Sequence, residues 1–297
     1  MLNYLILFLS TLFATGKALF CKVLGTGHYS KKEVALLNFK SFFIAFTCSL
    51  FFVAGEINKL FEISGFSIIL STFFGASVAI TQIMQSKALG NGPASIVTLI
   101  YSCGFVVPVF YGAFFWNENV SLYQWIGIFM LIAALAMIVC NGEKGKTLIL
   151  WLPFAIASML GSGMNAIFQK SHSYSYYSDE LPFFLVYSLF FSALFTGIAY
   201  LLICKKKENE QSEVKQQGKI KKVIIPLCLG VFVGLLNFSN LYLSGKLPAI
   251  IHFPIYNVGS MLLTSIISAI IYKDRLTKRQ MAGFVIGITA IIIVGIL

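Results

Sequence analysis

Residues 81–93 read TQIMQSKALGNGP, and residues 236–248 read LNFSNLYLSGKLP. Gln82 and Gln85 in the first stretch, and Asn237 and Asn240 in the second, are amide pairs three residues apart. Each stretch then closes on a glycine and a proline, Gly90 and Pro93 in one and Gly245 and Pro248 in the other. Both lie at the ends of long apolar runs. Buried amides that recur 155 residues on point to a membrane-embedded chain built from two related halves.

The composition agrees. Of 297 residues, 58% are hydrophobic and 11% charged, with mean hydropathy +0.85. A soluble domain of this size carries more polar surface, so soluble enzymes are excluded. A transmembrane helix needs about 20 apolar residues. Ten runs qualify, roughly 2–22, 33–54, 66–88, 94–116, 122–140, 148–170, 181–204, 222–244, 249–272 and 278–297. The longest polar stretch, 205–222, reads as a charged loop between helices. The first run has no Lys or Arg before Lys17 and no small-residue cleavage site, so it reads as a span and not a leader.

The net charge of +11 is no nucleic-acid signal, because it is sorted by loop. Seventeen of the 22 Lys and Arg residues follow odd-numbered spans, and three follow even-numbered ones. The positive-inside rule makes the odd loops cytoplasmic and turns both termini outward. The expected location is the cytoplasmic membrane, crossed many times.

The echo runs further. Tyr101 recurs as Tyr256 at the same offset of 155. At offset 156, WNENVSLYQWIG (116–127) matches YKDRLTKRQMAG (272–283), pairing Glu118 with Asp274, Gln124 with Gln280 and Gly127 with Gly283. At offset 148, ATGKALFCK (14–22) matches SGMNAIFQK (162–170), pairing Lys17 with Asn165 and Lys22 with Lys170. The expected fold is therefore all-α and integral to the membrane: ten transmembrane helices in two five-helix repeats, residues 1–142 and 147–297. An odd number of spans per half inverts the second repeat relative to the first. Inverted repeats build many secondary transporters, with the substrate site near mid-membrane at the repeat interface.

These motifs resemble the drug/metabolite transporter superfamily, specifically its ten-helix EamA type, over essentially the whole chain. The marks are Pro108 followed by FFWNENVSLYQWIG, and the second copy IIYKDRLTKRQMAG. They resemble a signature of an apolar run, then Gly-Glu-Arg-Leu-Thr-x-x-Gln-x-x-Gly. Pro108, Glu118, Gly127, Asp274 and Gly283 are the structural signature this resemblance implies. Asp274 replaces the usual Glu, and Thr264 stands where a second Pro108 would be. A first-helix pattern of Gly-x-Asn followed by Lys is kept at Gly163, Asn165 and Lys170, but Lys17 takes the Asn place in the first half. Lys40 matches a frequent Arg of the family's second helix. The resemblance implies export or exchange of small metabolites or drugs by alternating access.

The candidate substrate-binding residues are Lys17, Gln82, Gln85, Tyr101, Asn165, Asn237, Asn240, His252, Tyr256 and Asn257. A polar side chain within a span must find a partner or line water. Gln82 and Gln85 share one helix face, as do Asn237 and Asn240. Such amides either bond neighbouring helices, at about 1 kcal/mol each, or face a central cavity. Lys17 is either a snorkelling cation or a cavity cation for a carboxylate or phosphate. His252, Tyr256 and Asn257 cluster around Pro254 in HFPIYN (252–257). A lone buried His is a packing group or a proton carrier, and Tyr101 and Tyr256 are packing aromatics or a stacking surface. Glu118 and Asp274, in tight loops, suit capping of the next helix or pairing with Lys and Arg.

All eleven acidic residues lie at span ends or in loops. Proton-coupled export of lipophilic cations needs a mid-membrane carboxylate, so the expected substrate is anionic, zwitterionic or neutral. No metal spacing, nucleophile elbow or shared carboxylate pair occurs, so no enzyme, cofactor or metal is expected. Besides membrane lipid, the expected partner is the small-molecule substrate; no nucleic acid is expected. A non-transporting membrane scaffold or receptor is the alternative, although it needs neither an inverted repeat nor paired buried amides.

Overall fold

The computed structural model describes residues 2–26, 29–92, 94–139, 148–205, 221–272 and 278–296. Among these residues the regular structure is helical throughout. The helices are α1 (Leu2–Thr26), α2 (Lys31–Phe52), α3 (Gly65–Asn91), α4 (Ala94–Ser102), α5 (Val106–Phe115) and α6 (Leu122–Val139). They continue as α7 (Leu148–Ser173), α8 (Leu181–Lys205), α9 (Lys221–Ser244), α10 (Ala249–Tyr272) and α11 (Lys278–Ile296). Seven of them are long and apolar enough to cross a membrane, and three shorter apolar segments (Ile100–Phe115, Leu122–Ala134 and Met281–Val294) join them.

Eleven helices appear where the sequence suggests ten spans, because a 3₁₀ turn over Cys103–Phe105 divides the expected span 94–116 into α4 and α5. Pro108 accounts for the break. Proline lacks the N–H that would bond the carbonyl four residues earlier, at Gly104, and the chain tightens there. Torsion angles stay right-handed helical through Ser102, Phe105 and Val106.

Local caps fix the helix starts. Ser30 and Glu33 form a reciprocal capping box on α2. Ser64 caps α3 and donates its hydroxyl to Glu180 Oε2 at 2.7 Å, tying the α7–α8 turn to the start of α3. Ser121 and Gln124 exchange side-chain and backbone bonds at the start of α6, at 3.1 and 3.2 Å.

Without a hydrophobic drive between helices in lipid, small residues set how closely backbones approach. A Cβ at Gly75 on α3 would sit 2.5 Å from the Ser188 carbonyl of α8. A Cβ at Gly230 on α9 would sit 2.5 Å from the Ser41 carbonyl of α2. Gly127 of α6 packs on Ala290 and Val294 of α11, and α6 and α11 form a tight pair. Helix α3 packs on α7 and α8, and α9 packs on α1 and α2; α1 also meets α10, and α7 also meets α4 and α5. Pro108 and Gly283 are buried. Asp274 lies outside the described residues.

Candidate functional site

Helices α1, α3, α4, α7, α9 and α10 enclose a cavity of about 40 Å³. The side chains of Lys17, Gln82, Tyr101, Asn165, Asn237, Asn240 and Tyr256 line it, together with Ser162 and Gln169. Seven of the ten candidate binding residues thus converge on one space. An eighth, Gln85, lines an adjoining cavity of about 20 Å³ with Thr264 and Ser260. Lys17, Tyr101, Leu236 and Tyr256 border both spaces. One turn of α3 explains the split, since Gln82 and Gln85 share a face but sit at different depths. Volumes this small hold water and not an organic solute.

Most of the amides lean on the protein through one pole. Gln82 Nε2 donates to Asn38 Oδ1 at 2.9 Å, and Asn165 Nδ2 to Thr81 Oγ1 at 3.4 Å. Gln169 Nε2 donates to Asn237 Oδ1 at 3.2 Å, while Asn237 Nδ2 bonds the Val233 carbonyl at 2.8 Å. Asn240 Oδ1 accepts from Ser10 Oγ at 2.5 Å and lies 3.2 Å from His252 Nε2. The other poles of several are bare: Gln82 Oε1, Gln85 Oε1 and Asn165 Oδ1 are buried without a partner, as is Thr264 Oγ1. Buried polar atoms are nearly always bonded, and these bare ones belong to residues that border the two adjoining cavities.

Lys17 is the charged side chain among those lining either cavity; no Asp or Glu does so among the described residues. Its Nζ lies 5.5 Å from the Tyr101 ring centre, within cation–π range. Tyr101 in turn neighbours Tyr256.

Two candidates stand back from the void. His252 is fully buried one layer behind Asn240, its ring stacked against Phe253 with centroids 4.5 Å apart. Its Nδ1 is bare. Asn257 Nδ2 donates to the Phe253 carbonyl at 3.0 Å and its Oδ1 is bare, while its backbone carbonyl accepts from Ser102 Oγ at 3.2 Å.

Sequence reading passed over Ser162 and Gln169. Gln169 lies one turn beyond Asn165 on the same face of α7, and that i, i+4 spacing is the signal that would have found it. Asn38 was likewise silent, because its bond to Gln82 spans 44 residues.

A second polar cluster lies at one end of the bundle. Lys170, at the end of the expected span 148–170, has a side chain with 0% exposure. Its Nζ reaches Glu118 Oε1 at 2.7 Å and donates to the Leu247 carbonyl at 2.7 Å. Glu118 does not cap the helix that follows it. Its Oε2 accepts from the backbone N–H of Ala249, the first residue of α10, at 2.7 Å. The Tyr174 hydroxyl donates to Glu118 Oε1 at 2.9 Å. Burial and the Glu118 charge push the Tyr174 phenol up to about 12, so it remains a donor at neutral pH.

The sequence profile of the EamA-like transporter family matches residues 1–140 and again 149–296. No curated protein matches the sequence. Solved structures match by fold. One, titled only as the crystal structure of a protein, superposes with a TM-score of 0.74 over 98% of this chain and 96% of that chain. At 12% identity that likeness bears on the fold alone.

Proposed function

Because the chain belongs to the EamA-like transporter family, we propose that it is a secondary transporter whose solute site is the cavity around Lys17. Membership makes it a multi-pass membrane protein of a drug/metabolite transporter type. In this reading it exports or exchanges small organic metabolites or drugs across the cytoplasmic membrane by alternating access.

The architecture proposed is ten spans, with α4 and α5 as one interrupted span, in two inverted halves over 1–142 and 147–297. Mirrored contacts support it. Gly75 of α3 meets Ser188 of α8, and Gly230 of α9 meets Ser41 of α2. Gly75 and Gly230 are 155 residues apart, the offset of the opening repeat. Ser102 and Asn257, also 155 apart, bond one another. In this reading, repeat mates that touch lie on the axis relating the halves, and Tyr101 and Tyr256 beside them line the cavity. Lys17 and Asn165, mates in the sequence, both line it. Transporters of this design place the site at that interface.

The observation that carries the reading is the set of amides with a bare oxygen, Gln82, Gln85 and Asn165, that border two adjoining cavities sharing one cation, Lys17. Substrate supplies the missing donors and, opposite Lys17, an acceptor. With no carboxylate among the described lining residues, an anionic, zwitterionic or neutral solute fits and a lipophilic cation does not. At about 40 Å³ the cavity is too small for an organic solute, so the surrounding helices must part to load one.

Solute counterflow into proteoliposomes tests the proposal. A carrier exchanges preloaded unlabelled solute for labelled solute faster than empty vesicles take it up, and Lys17→Met reduces that exchange. Absence of counterflow for every anionic, zwitterionic and neutral class tried would leave the scaffold or receptor reading in its place.

A further inference from the structure

A groove of about 380 Å³ runs between α2 and α9 on the outside of the bundle, a volume within the roughly 300–1,000 Å³ of sites that hold organic ligands. Its walls are apolar: Phe39, Phe43 and Ile44 come from α2, and Val223 and Leu227 from α9. Phe43, Val223 and Leu227 are exposed, so in a membrane they meet acyl chains. Lys40 and Lys222 also line the groove, and no acidic side chain does so among the described residues. The two helices run parallel here. Glu33 of α2 pairs with Lys222 of α9 at 2.5 Å, and eight residues further along each helix the Ser41 carbonyl lies against Gly230. Lys222 is therefore level with Glu33, and Lys40 starts seven residues deeper, about 10 Å along the axis. Helical side chains lean toward the N-terminus of their own helix, so the Lys40 chain rises back toward Lys222. The two ammoniums flank the end of the groove where α2 and α9 begin.

We infer that this groove binds an anionic phospholipid, with the phosphate between Lys40 and Lys222 and an acyl chain along the apolar walls. Both helices begin at loops that the positive-inside argument makes cytoplasmic, so the lipid belongs to the cytoplasmic leaflet. Charge selects it. Lys40 is exposed beside the apolar walls and has no hydrogen-bond or ion-pair partner among the described residues. A cation in that setting is costly unless it reaches water or meets an anion. Lys222 uses one of its three N–H donors on Glu33 and keeps others for a phosphate. Glu33 accepts in turn from the Ser30 backbone N–H at 3.2 Å, which keeps it on the α2 cap and outside the groove lining. A zwitterionic lipid suits the same walls but brings its own ammonium toward the two lysines. Basic pockets between transmembrane helices on the cytoplasmic side favour anionic headgroups for this reason. The site is separate from the central cavity and does not depend on what that cavity carries.

The test is quenching of a fluorophore placed on the groove wall by Phe43→Trp, with the protein in nanodiscs of phosphatidylcholine. A minor share of the lipid is replaced by dibrominated phosphatidylglycerol or, in parallel, by dibrominated phosphatidylcholine. The signal of the native Trp116, Trp125 and Trp151, measured in the parent protein, is subtracted. The brominated phosphatidylglycerol should quench more strongly, with an association roughly fivefold tighter for each lysine at the phosphate. Adding Lys40→Met should lower that preference about fivefold and leave quenching by the phosphatidylcholine unchanged. Leu227→Trp, on the opposite wall, serves as the reporter if Phe43→Trp does not fold. Equal quenching by the two lipids, or a preference that survives Lys40→Met, would overturn the site. Quenching by neither would mean that protein covers the groove, and would overturn it as well. The readout needs no transport, so an absence of counterflow would sink the transporter reading and leave the lipid site in place.

Discussion

Gln169 and Lys170 are neighbours on α7, and they face opposite kinds of polar environment. Lys170 points into a cluster in which each group has found its partner: the ammonium meets Glu118 and a carbonyl, and Glu118 also takes a phenol and the first N–H of α10. Gln169 points into the cavity, where Gln82 and Asn165 leave an oxygen bare. Both regions bury polar side chains in a largely apolar bundle. The difference lies in satisfaction. A closed network rigidifies and joins segments distant in sequence, while an open one retains capacity to bind. The first is read as a clamp and the second as a site.

The comparison breaks first at Glu118. Glu118→Ala leaves the Lys170 ammonium buried without a counter-ion and should destabilise the protein by about 3–5 kcal/mol. The pair Glu118→Leu with Lys170→Met should recover most of that loss, because breaking a buried ion pair costs more than replacing it. Unfolding in detergent checks both, and a Glu118→Ala protein as stable as the wild type would remove the clamp. Asn240 is the cavity residue most like the clamp, since its oxygen serves both Ser10 and His252. Asn240→Ala strands buried donors and should cost about 2 kcal/mol.

Tyr174→Phe should cost about 1 kcal/mol at neutral pH, the loss of a bond to a charged acceptor discounted because the tyrosine is half exposed. The sign of its pH dependence follows from a phenol that titrates higher in the folded protein. The contribution is whole below about pH 10, the ordinary tyrosine value, and fades as pH rises toward about 12. The stability gap between Tyr174→Phe and wild type should therefore close over that interval. A gap that widens would mean the hydroxyl is not bonded to Glu118. The smallest stability effect belongs to Asn165→Leu. Its one bond is long, at 3.4 Å, and its oxygen is bare. Stability should move by less than about 0.5 kcal/mol while counterflow is lost. Equal losses of stability and exchange would make Asn165 helix glue.

Much of this was legible in the sequence. The apolar runs gave the helices, since each span must satisfy its own backbone in lipid. Identically spaced amides in two runs led to the cavity, because an i, i+3 pair has only one face to share. What stayed hidden depends on partners chosen in three dimensions. Gln82 bonds Asn38 on α2, and Glu118 caps α10, 131 residues away. No local pattern announces either contact. Lys170 looked like an interfacial charge because it follows an apolar run, and only the arrival of Glu118 and the 247 carbonyl allows its burial. The break between α4 and α5 was implicit in Pro108, but a proline in a lipid-embedded helix bends, tightens or merely loosens it, and packing selects among these outcomes.

The most direct test of the open-network claim is ligand-induced thermal stabilisation of the solubilised protein, since a solute that binds the folded state raises its apparent stability. Amino acids, nucleosides, sugar phosphates and lipophilic cations would be compared on the wild type and on a Lys17→Met, Asn165→Leu variant. The account predicts that an anionic, zwitterionic or neutral class raises the wild-type midpoint and leaves the variant unmoved. Stabilisation of both proteins to the same extent, or of the wild type by lipophilic cations, would contradict it.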